Sequence, residues 1–220
     1  MVEWCQPGLS GLPSRRVSLN VISPRNVYTN VFISKPTLTA LLYNPTKAAG
    51  QRWSRLASST IPRLYHSVAL LLLDGTVLIA GSNPNEMPVR TVTPQAPYIT
   101  EFRVERYTPP YLSGANANRR PTNIVISKKT LQADELFEVR FSAPSKAQAV
   151  SVVLYHGGFV THSLHMGHRM MVLASTGFKP NQSSQVVSSR IPPNKNICPP
   201  GPYVIYVVVC TLYTVLTGKS

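Results

Sequence analysis

The chain has 220 residues, 43% of them apolar, which is enough for one large or two modest domains with a buried core and excludes a disordered chain. Its formal charge of +14 at neutral pH would attract acidic partners. The basic residues are dispersed, however, with adjacent pairs only at Arg15-Arg16, Arg119-Arg120 and Lys128-Lys129, so we predict no nucleic-acid partner.

The amino-acid usage predicts an all-β fold. The chain contains twenty prolines and many Val, Thr, Ser and Tyr residues, and it has no long run of Ala, Leu, Glu and Lys at helical spacing. Short strands joined by proline-rich turns are the structure that such a composition favours. Residues 1–35 have weak periodicity and are predicted to form a poorly specified N-terminal segment.

The region 36–112 is predicted to be the end of a kelch-like β-propeller, comprising the last blade and part of the preceding one. Two short strands open it, at 40–45 and 51–56, and are joined by a turn. A hairpin follows, because two apolar runs flank the dipeptide Asp74-Gly75, which supplies the positive φ values of a tight turn. The hairpin strands are predicted at 66–73 and 76–82, and a further strand is predicted at 100–107.

The region 113–220 is predicted to be an immunoglobulin-like β-sandwich with an atypical tail from residue 210, because short strands recur there at even spacing. The apolar segment 203–216 is too short to span a bilayer as a helix, so no membrane partner is expected. The predicted strands of the sandwich are 122–127, 136–142, 149–155, 170–174, 185–190 and 203–209.

Cysteines and the N-terminus say little about the cellular compartment. Cys5, Cys198 and Cys210 leave at least one thiol unpaired and show no zinc-binding spacing, so their disulfide status stays open. The first residues include neither the basic nor the apolar segment of a signal peptide, so none is expected in the chain as given.

Two short segments hold four of the chain's five histidines, namely Tyr65-His66 and the run that contains His162, His165 and His168. Imidazole and phenolate are both ligands that copper accepts, so the pattern is compatible with a copper site. Taken alone, Tyr65 and His66 could instead be a tyrosine packed in a blade and a histidine at the end of a strand. His165 and His168 are predicted to lie outside the coordination shell. They could form its rim or donate hydrogen bonds to a ligand, but a loop histidine near a metal is more often a bystander.

Several segments together resemble the C-terminal part of fungal glyoxal oxidases, which are copper radical oxidases similar in fold and site to galactose oxidase. They are 62–84, with its Arg-Leu-Tyr-His-Ser sequence, 105–112, 156–169 and 199–203. They occur in the family's order, and the resemblance covers roughly residues 36–209.

The resemblance implies a mononuclear copper site and names its residues. Tyr65 corresponds to the axial tyrosine, which would act as general base, and His66 and His162 correspond to the two equatorial ligands. The family oxidises an aldehyde or alcohol with O2 and releases hydrogen peroxide, and its members are extracellular. Its site also includes a tyrosine crosslinked to a cysteine, and both residues belong to earlier blades.

The same resemblance implies that the chain departs from a complete enzyme. None of its three cysteines matches the crosslinked one, so the chain is expected to be a fragment or a degenerate paralogue that is inactive alone. The sequence after Val209 also differs from the family's last hairpin, which suggests truncation, aberrant splicing or a shifted reading frame. The alternative is a non-enzymatic β-sandwich that binds carbohydrate or an acidic cell-wall polymer.

Overall fold

The computed structural model of the protein describes residues 2–4, 15–17, 36–44, 47–161 and 164–211. These residues form sixteen β-strands and two short 3-10 helices, Pro110–Leu112 and Gly114–Arg119, so the predicted all-β class is confirmed. The predicted N-terminal segment 1–35 and the predicted tail from residue 210 lie almost wholly outside the described residues. No described helix is long and apolar enough to cross a membrane.

Contacts between Cα atoms divide the described chain into two compact units. The first includes residues 36–112 and 157–168, and the second includes residues 113–156 and 169–211. A division by contacts does not test the domain boundaries expected from sequence, 1–35, 36–112 and 113–220, which stay a prediction.

The first unit contains two larger sheets and one short two-stranded hairpin. In the four-stranded sheet the order is β1-β2-β3-β4, and in the three-stranded sheet it is β5-β6-β7. Their strands are β1 (Val2–Trp4), β2 (Arg15–Val17), β3 (Thr37–Tyr43), β4 (Trp53–Arg63), β5 (Val68–Leu71), β6 (Val77–Ala80) and β7 (Glu105–Tyr107).

The predicted hairpin around Asp74-Gly75 is present as β5 and β6, with Leu71 opposite Val77. Gly75 has a φ of +83°, and the Asp74 carboxylate accepts hydrogen bonds from the backbone N–H and the hydroxyl of Thr76 at 2.9 and 2.6 Å. Local turn chemistry therefore decides this element, as the sequence indicated.

The prediction of one strand over residues 100–107 was wrong in its first half, since only Glu105–Tyr107 is a strand. The Glu101 carboxylate accepts a hydrogen bond from the backbone N–H of Arg103 at 2.8 Å, and the Glu101 N–H donates to the Ser82 carbonyl at 2.8 Å. These bonds occupy backbone groups that a regular strand would pair with its neighbour.

The second unit is a β-sandwich of two antiparallel sheets, ordered β14-β15-β9-β8 and β13-β10-β16. Alternate residues of β9 and β15 are buried, so one face of that sheet packs on the core. The core includes Phe137, Val139, Phe141, Val152 and Leu154. The strands are β8 (Thr122–Ile126), β9 (Leu136–Ser142), β10 (Ala147–His156), β13 (Arg169–Val172), β14 (Ala174–Thr176), β15 (Ser184–Arg190) and β16 (Val204–Thr211).

One hairpin lies in sequence between two segments of the second unit, but its contacts assign it to the first unit. It is formed by β11 (Phe159–Thr161) and β12 (Leu164–Met166), and β11 lies against β5. Gly158, with a φ of +61°, begins it, and a Cβ atom there would lie 2.2 Å from the Met166 carbonyl oxygen. Only glycine fits this closure of the hairpin.

Candidate metal centre

Tyr65 and His66 lie in a tight turn between β4 and β5. Leu64, which is buried, accepts a hydrogen bond from the Ser67 N–H at 3.2 Å and so closes the turn. His66 has a φ of +63°, in the left-handed region, which histidine tolerates better than most residues. Consecutive side chains of a strand point to opposite faces, but this turn brings the two rings together, with centroids 4.0 Å apart and planes tilted by 33°.

The His66 ring is oriented by a backbone carbonyl. Its Nδ1 lies 3.0 Å from the Asn83 carbonyl oxygen, and the Asn83 N–H donates to the Tyr65 carbonyl at 3.0 Å. Because a carbonyl oxygen only accepts, Nδ1 carries the proton, and the lone pair of the neutral ring is on Nε2. Metal-binding histidines are commonly held by such a hydrogen bond at the other ring nitrogen. This imidazole beside a phenol fits the N/O ligation that Cu(II) favours.

The buried side chain of Arg63 connects this turn to the three-stranded sheet. Its guanidinium donates to the Glu105 carboxylate at 2.6 and 3.1 Å, to the Arg103 carbonyl at 3.0 Å and to the Gly81 carbonyl. Arg63 is only 3% exposed, so this ion pair is shielded from water on the arginine side. These hydrogen bonds therefore join the end of β4 to the segment after β6 and to the start of β7, next to the turn.

Gly81 packs against the turn itself. It has a φ of +78°, and a Cβ atom there would lie 2.7 Å from the His66 carbonyl oxygen and 3.1 Å from the Ser67 Cα. The next residue, Ser82, is buried and accepts a hydrogen bond from the Leu64 N–H at 3.0 Å. The close approach of backbone to backbone holds the turn in place.

Two further groups set the polarity of this region. The Ser67 hydroxyl is buried and has no hydrogen-bond partner among the described residues. Glu101, also buried, has its pKa lowered to about 2, chiefly by the hydrogen bond from the Arg103 side chain. It is therefore ionised across the physiological pH range.

The structure describes only two of the three histidines predicted at 162, 165 and 168. His162 lies outside the described residues, although β11 and β12 on either side of it belong to the same unit as Tyr65 and His66. His165 and His168 lie in that hairpin region with ring centroids 4.4 Å apart, and burial and His168 lower the pKa of His165. Among the described residues no group of three or more His, Cys, Asp and Glu side chains is arranged for a metal. The structure thus brings Tyr65 and His66 together, and the role of His162 stays a prediction.

Two family models match the chain. Residues 25–111 match the glyoxal oxidase N-terminus, and residues 120–214 match the galactose oxidase-like early set domain. Over these two segments the chain is similar to glyoxal oxidases and galactose oxidase-like proteins. The predicted resemblance is thus confirmed, and the early set match agrees with the β-sandwich of the second unit.

Named relatives and one solved structure agree with this assignment. The aldehyde oxidase GLOX1 of Arabidopsis thaliana is 37% identical over 182 residues, which are 79% of this chain and 28% of the relative. The aldehyde oxidase GLOX of Vitis pseudoreticulata is 36% identical over 177 residues, which are 80% and 33%. A fungal alcohol oxidase of the AA5 family, solved in complex with copper, shares the fold with a TM-score of 0.60 at 22% identity, over 83% of this chain and 38% of that one.

This chain spans about a third or less of the length of the curated relatives. Two of those relatives are plant proteins, so the resemblance is not confined to fungal oxidases. A fungal origin, secretion and kelch-type blades stay predictions for this glyoxal oxidase-like protein.

The sequence reasoning missed the residues that support the Tyr65-His66 turn, above all Arg63, Glu105 and Asn83. A signal for Arg63 was available. This arginine stands two residues before Tyr65, and the residues next to it in sequence, Pro62 and Leu64, are apolar. Its partner Glu105 is 42 positions away in sequence, and no local spacing relates the two.

Proposed function

We propose that Tyr65, His66 and His162 form part of the copper site of a radical oxidase that acts on a small aldehyde or alcohol with O2. The stacked Tyr65 and His66 rings, with the His66 tautomer held by the Asn83 carbonyl, carry this proposal. The relatives described as aldehyde oxidases support the substrate class.

Each residue has a distinct part in this proposal. Copper, when bound, would supply one-electron redox chemistry beside a protein radical. His66 and His162 would hold it through neutral imidazoles, and the hydrogen bond to Asn83 keeps His66 from rotating. The Tyr65 phenolate oxygen would take the proton from the substrate hydroxyl as that substrate is oxidised.

Copper binding is the direct test. We expect the purified chain to bind one Cu(II) tightly in calorimetry, and His66→Ala or His162→Ala to weaken that binding by about tenfold or more, as loss of groups around a metal commonly does. His156→Ala is the matched control, because the Nδ1 of His156 is hydrogen-bonded to the Pro202 carbonyl in the second unit. Equal Cu(II) affinity in all four proteins would contradict the assignment.

We further propose that turnover requires a tyrosine–cysteine pair that is not among these 220 residues. The described part of the first unit contains no cysteine, and Cys198, which has a free thiol, belongs to the second. The chain alone should therefore release no hydrogen peroxide from methylglyoxal in a peroxidase-coupled assay, even when loaded with copper. Sustained peroxide release would overturn this part of the proposal without affecting copper binding.

A second candidate function, binding of an acidic polymer by the sandwich, is favoured by its charge. The three acidic residues of the described second unit are all paired, Asp134 with Arg190 at 3.1 Å, Glu138 with Arg140 at 3.0 Å and Glu135 with Lys128. Exposed lysines without an ion-pair partner among the described residues remain, namely Lys129, Lys146, Lys179 and Lys195.

This second function is tested with the full chain and polygalacturonate. We expect binding that weakens as salt rises and that is lost when the four lysines become glutamine, since screening and charge removal act on the same attraction. Binding that is unchanged by those substitutions would exclude the sandwich lysines as the polymer site. Copper should have no effect on it.

A further inference from the structure

The hairpin of β11 and β12 presents two histidines that the proposed copper site does not use. His165 is half-buried and pairs with Val160 across the hairpin, and His168 follows two residues after the end of β12. Their ring centroids are 4.4 Å apart and their planes are inclined by 73°. Both residues belong to the first unit.

This separation matches two imidazoles that share one metal ion. A metal–nitrogen bond of about 2.0–2.1 Å places the ion roughly 3.2 Å from each ring centroid, so two rings at adjacent positions of a square or octahedral site have centroids about 4.5 Å apart. The nitrogen lone pairs of two rings stacked face to face point in parallel and cannot both be directed at one ion. The two rings here are inclined by 73° and are not stacked in that way.

One ring nitrogen of this pair, the Nδ1 of His165, is buried and, among the described residues, makes no hydrogen bond. Buried polar atoms are nearly always paired, because an unpaired one loses its bond to water without replacement. A metal ion bound at Nδ1 would satisfy it, with its other coordination positions on the exposed side of the pair, next to His168.

The backbone around the pair leaves little freedom. Gly158 packs so closely that a Cβ atom on it would lie 2.5 Å from the His168 backbone nitrogen and 2.2 Å from the Met166 carbonyl oxygen. The segment that carries both histidines is thus closed on itself before any ion binds. Such pre-organisation lowers the entropic cost of bringing two ligands together.

We propose that His165 and His168 bind a divalent transition-metal ion of the class that prefers imidazole, such as Zn2+ or Cu2+, at a second site on this hairpin. No third His, Cys, Asp or Glu side chain among the described residues joins them, so water completes the coordination and the site is weak and labile. The proposal does not depend on the proposed oxidase function.

The test uses the full chain and Zn2+, which is diamagnetic, with NMR detection of the imidazole ring nitrogens. We expect Zn2+ to shift the ring-nitrogen signals of His165, at Nδ1, and of His168 together, and to leave those of His156 unchanged. His165→Asn and His168→Asn should each lower this Zn2+ affinity about tenfold. His156→Asn is the matched control and should leave it unchanged.

A His66→Ala/His162→Ala variant separates this site from the proposed copper centre. The joint shift of His165 and His168 should persist in it, whether or not the copper proposal is correct. Three results would overturn the second site: no shift of either ring at millimolar Zn2+, loss of both shifts in a folded His66→Ala/His162→Ala variant, or a shift of only one ring. The last would leave the pair as an edge-to-face aromatic contact. The shifts of the His165 and His168 ring nitrogens are measured on the unsubstituted chain. The test of the second site therefore does not depend on whether a variant folds.

Discussion

A single backbone torsion decides the geometry of the candidate metal centre. With His66 at a φ of +63°, the side chains of Tyr65 and His66 stack although the two residues are adjacent in sequence. The residues around the turn hold this conformation through backbone contacts at Asn83 and Gly81. The side chains that could bind a metal are therefore positioned mainly by groups that do not touch it.

Arg63 is the supporting residue with the largest expected effect on stability. Arg63→Met would leave Glu105 without its buried partner, and we expect the free energy of unfolding to fall by about 3 kcal/mol or more. Arg63→Lys keeps the charge but cannot form the fork of hydrogen bonds, so it should lose part of this. Denaturation in urea, followed by tryptophan fluorescence, measures both.

Arg106→Met is the control for Arg63, since Arg106 is also paired, with Asp74, but is 66% exposed. We expect it to cost less than about 1 kcal/mol, the usual range for a surface pair. If Arg63→Met were as mild as Arg106→Met, the buried pair would not be a support of the turn.

The Glu101 carboxyl makes the first unit sensitive to acid. Its pKa in the folded protein is lowered from 4.5 to about 2, so its stabilising contribution is fully present above pH 4.5 and is lost as the pH falls from about 4.5 to about 2. Urea denaturation of wild type and Glu101→Gln should differ most at pH 7 and converge near pH 2. A difference that is constant with pH would show that ionisation of Glu101 is not responsible.

At the scale of elements, the sequence predicted those parts that depend on neighbouring residues. The strand at 136–142 follows from strict alternation, and the β5–β6 hairpin from Asp74-Gly75. The strand expected from residue 100 was wrong because the Glu101 side chain bonds to backbone groups, which alternation does not reveal. The β11–β12 hairpin was not predicted, since strands of three residues are too short to show a period.

The residues of the candidate site also fall into two groups, those predicted from local motifs and those that only the fold brings together. Tyr65, His66 and His162 were named through a family resemblance carried by contiguous motifs. The supports at Glu105 and Asn83 reach the turn from separate strands or loops, and only the fold brings them there. Their identity depends on long-range contacts that one sequence does not display.

The junction between β6 and the turn can be tested with two glycines of similar conformation. Gly81 and Gly50 have φ values of +78° and +83°, but a Cβ atom meets the His66 carbonyl at 2.7 Å in the first and nothing within 4 Å in the second. Gly50→Ala should cost about 1 kcal/mol through backbone strain, and Gly81→Ala clearly more because the turn must also move. Urea denaturation gives the two costs, and Cu(II) calorimetry should report weaker binding only for Gly81→Ala. Equal losses of stability would argue against close packing at Gly81.

At the scale of the whole molecule, the chain combines two units that differ in the burial of their charged side chains. The described first unit buries ionised groups such as Arg63 and Glu101 inside its structure, while the second pairs its acidic residues at the surface and keeps exposed lysines. The net charge of +14 therefore describes a surface property and says little about the candidate metal centre.

The excursion of the chain between β10 and β13 starts and ends at one pair of residues, since His156 lies directly opposite Arg169 across the antiparallel strands. A two-residue Asn-Gly turn can join strands in that register, so residues 157–168 are removable in principle. With that turn in their place, we expect the sandwich to keep its melting temperature within a few degrees, while copper and zinc binding are lost. A collapse of the sandwich would show that the hairpin stabilises it. By this geometry metal binding could be lost without the sandwich, because a short deletion would remove three histidines and leave β10 and β13 in register.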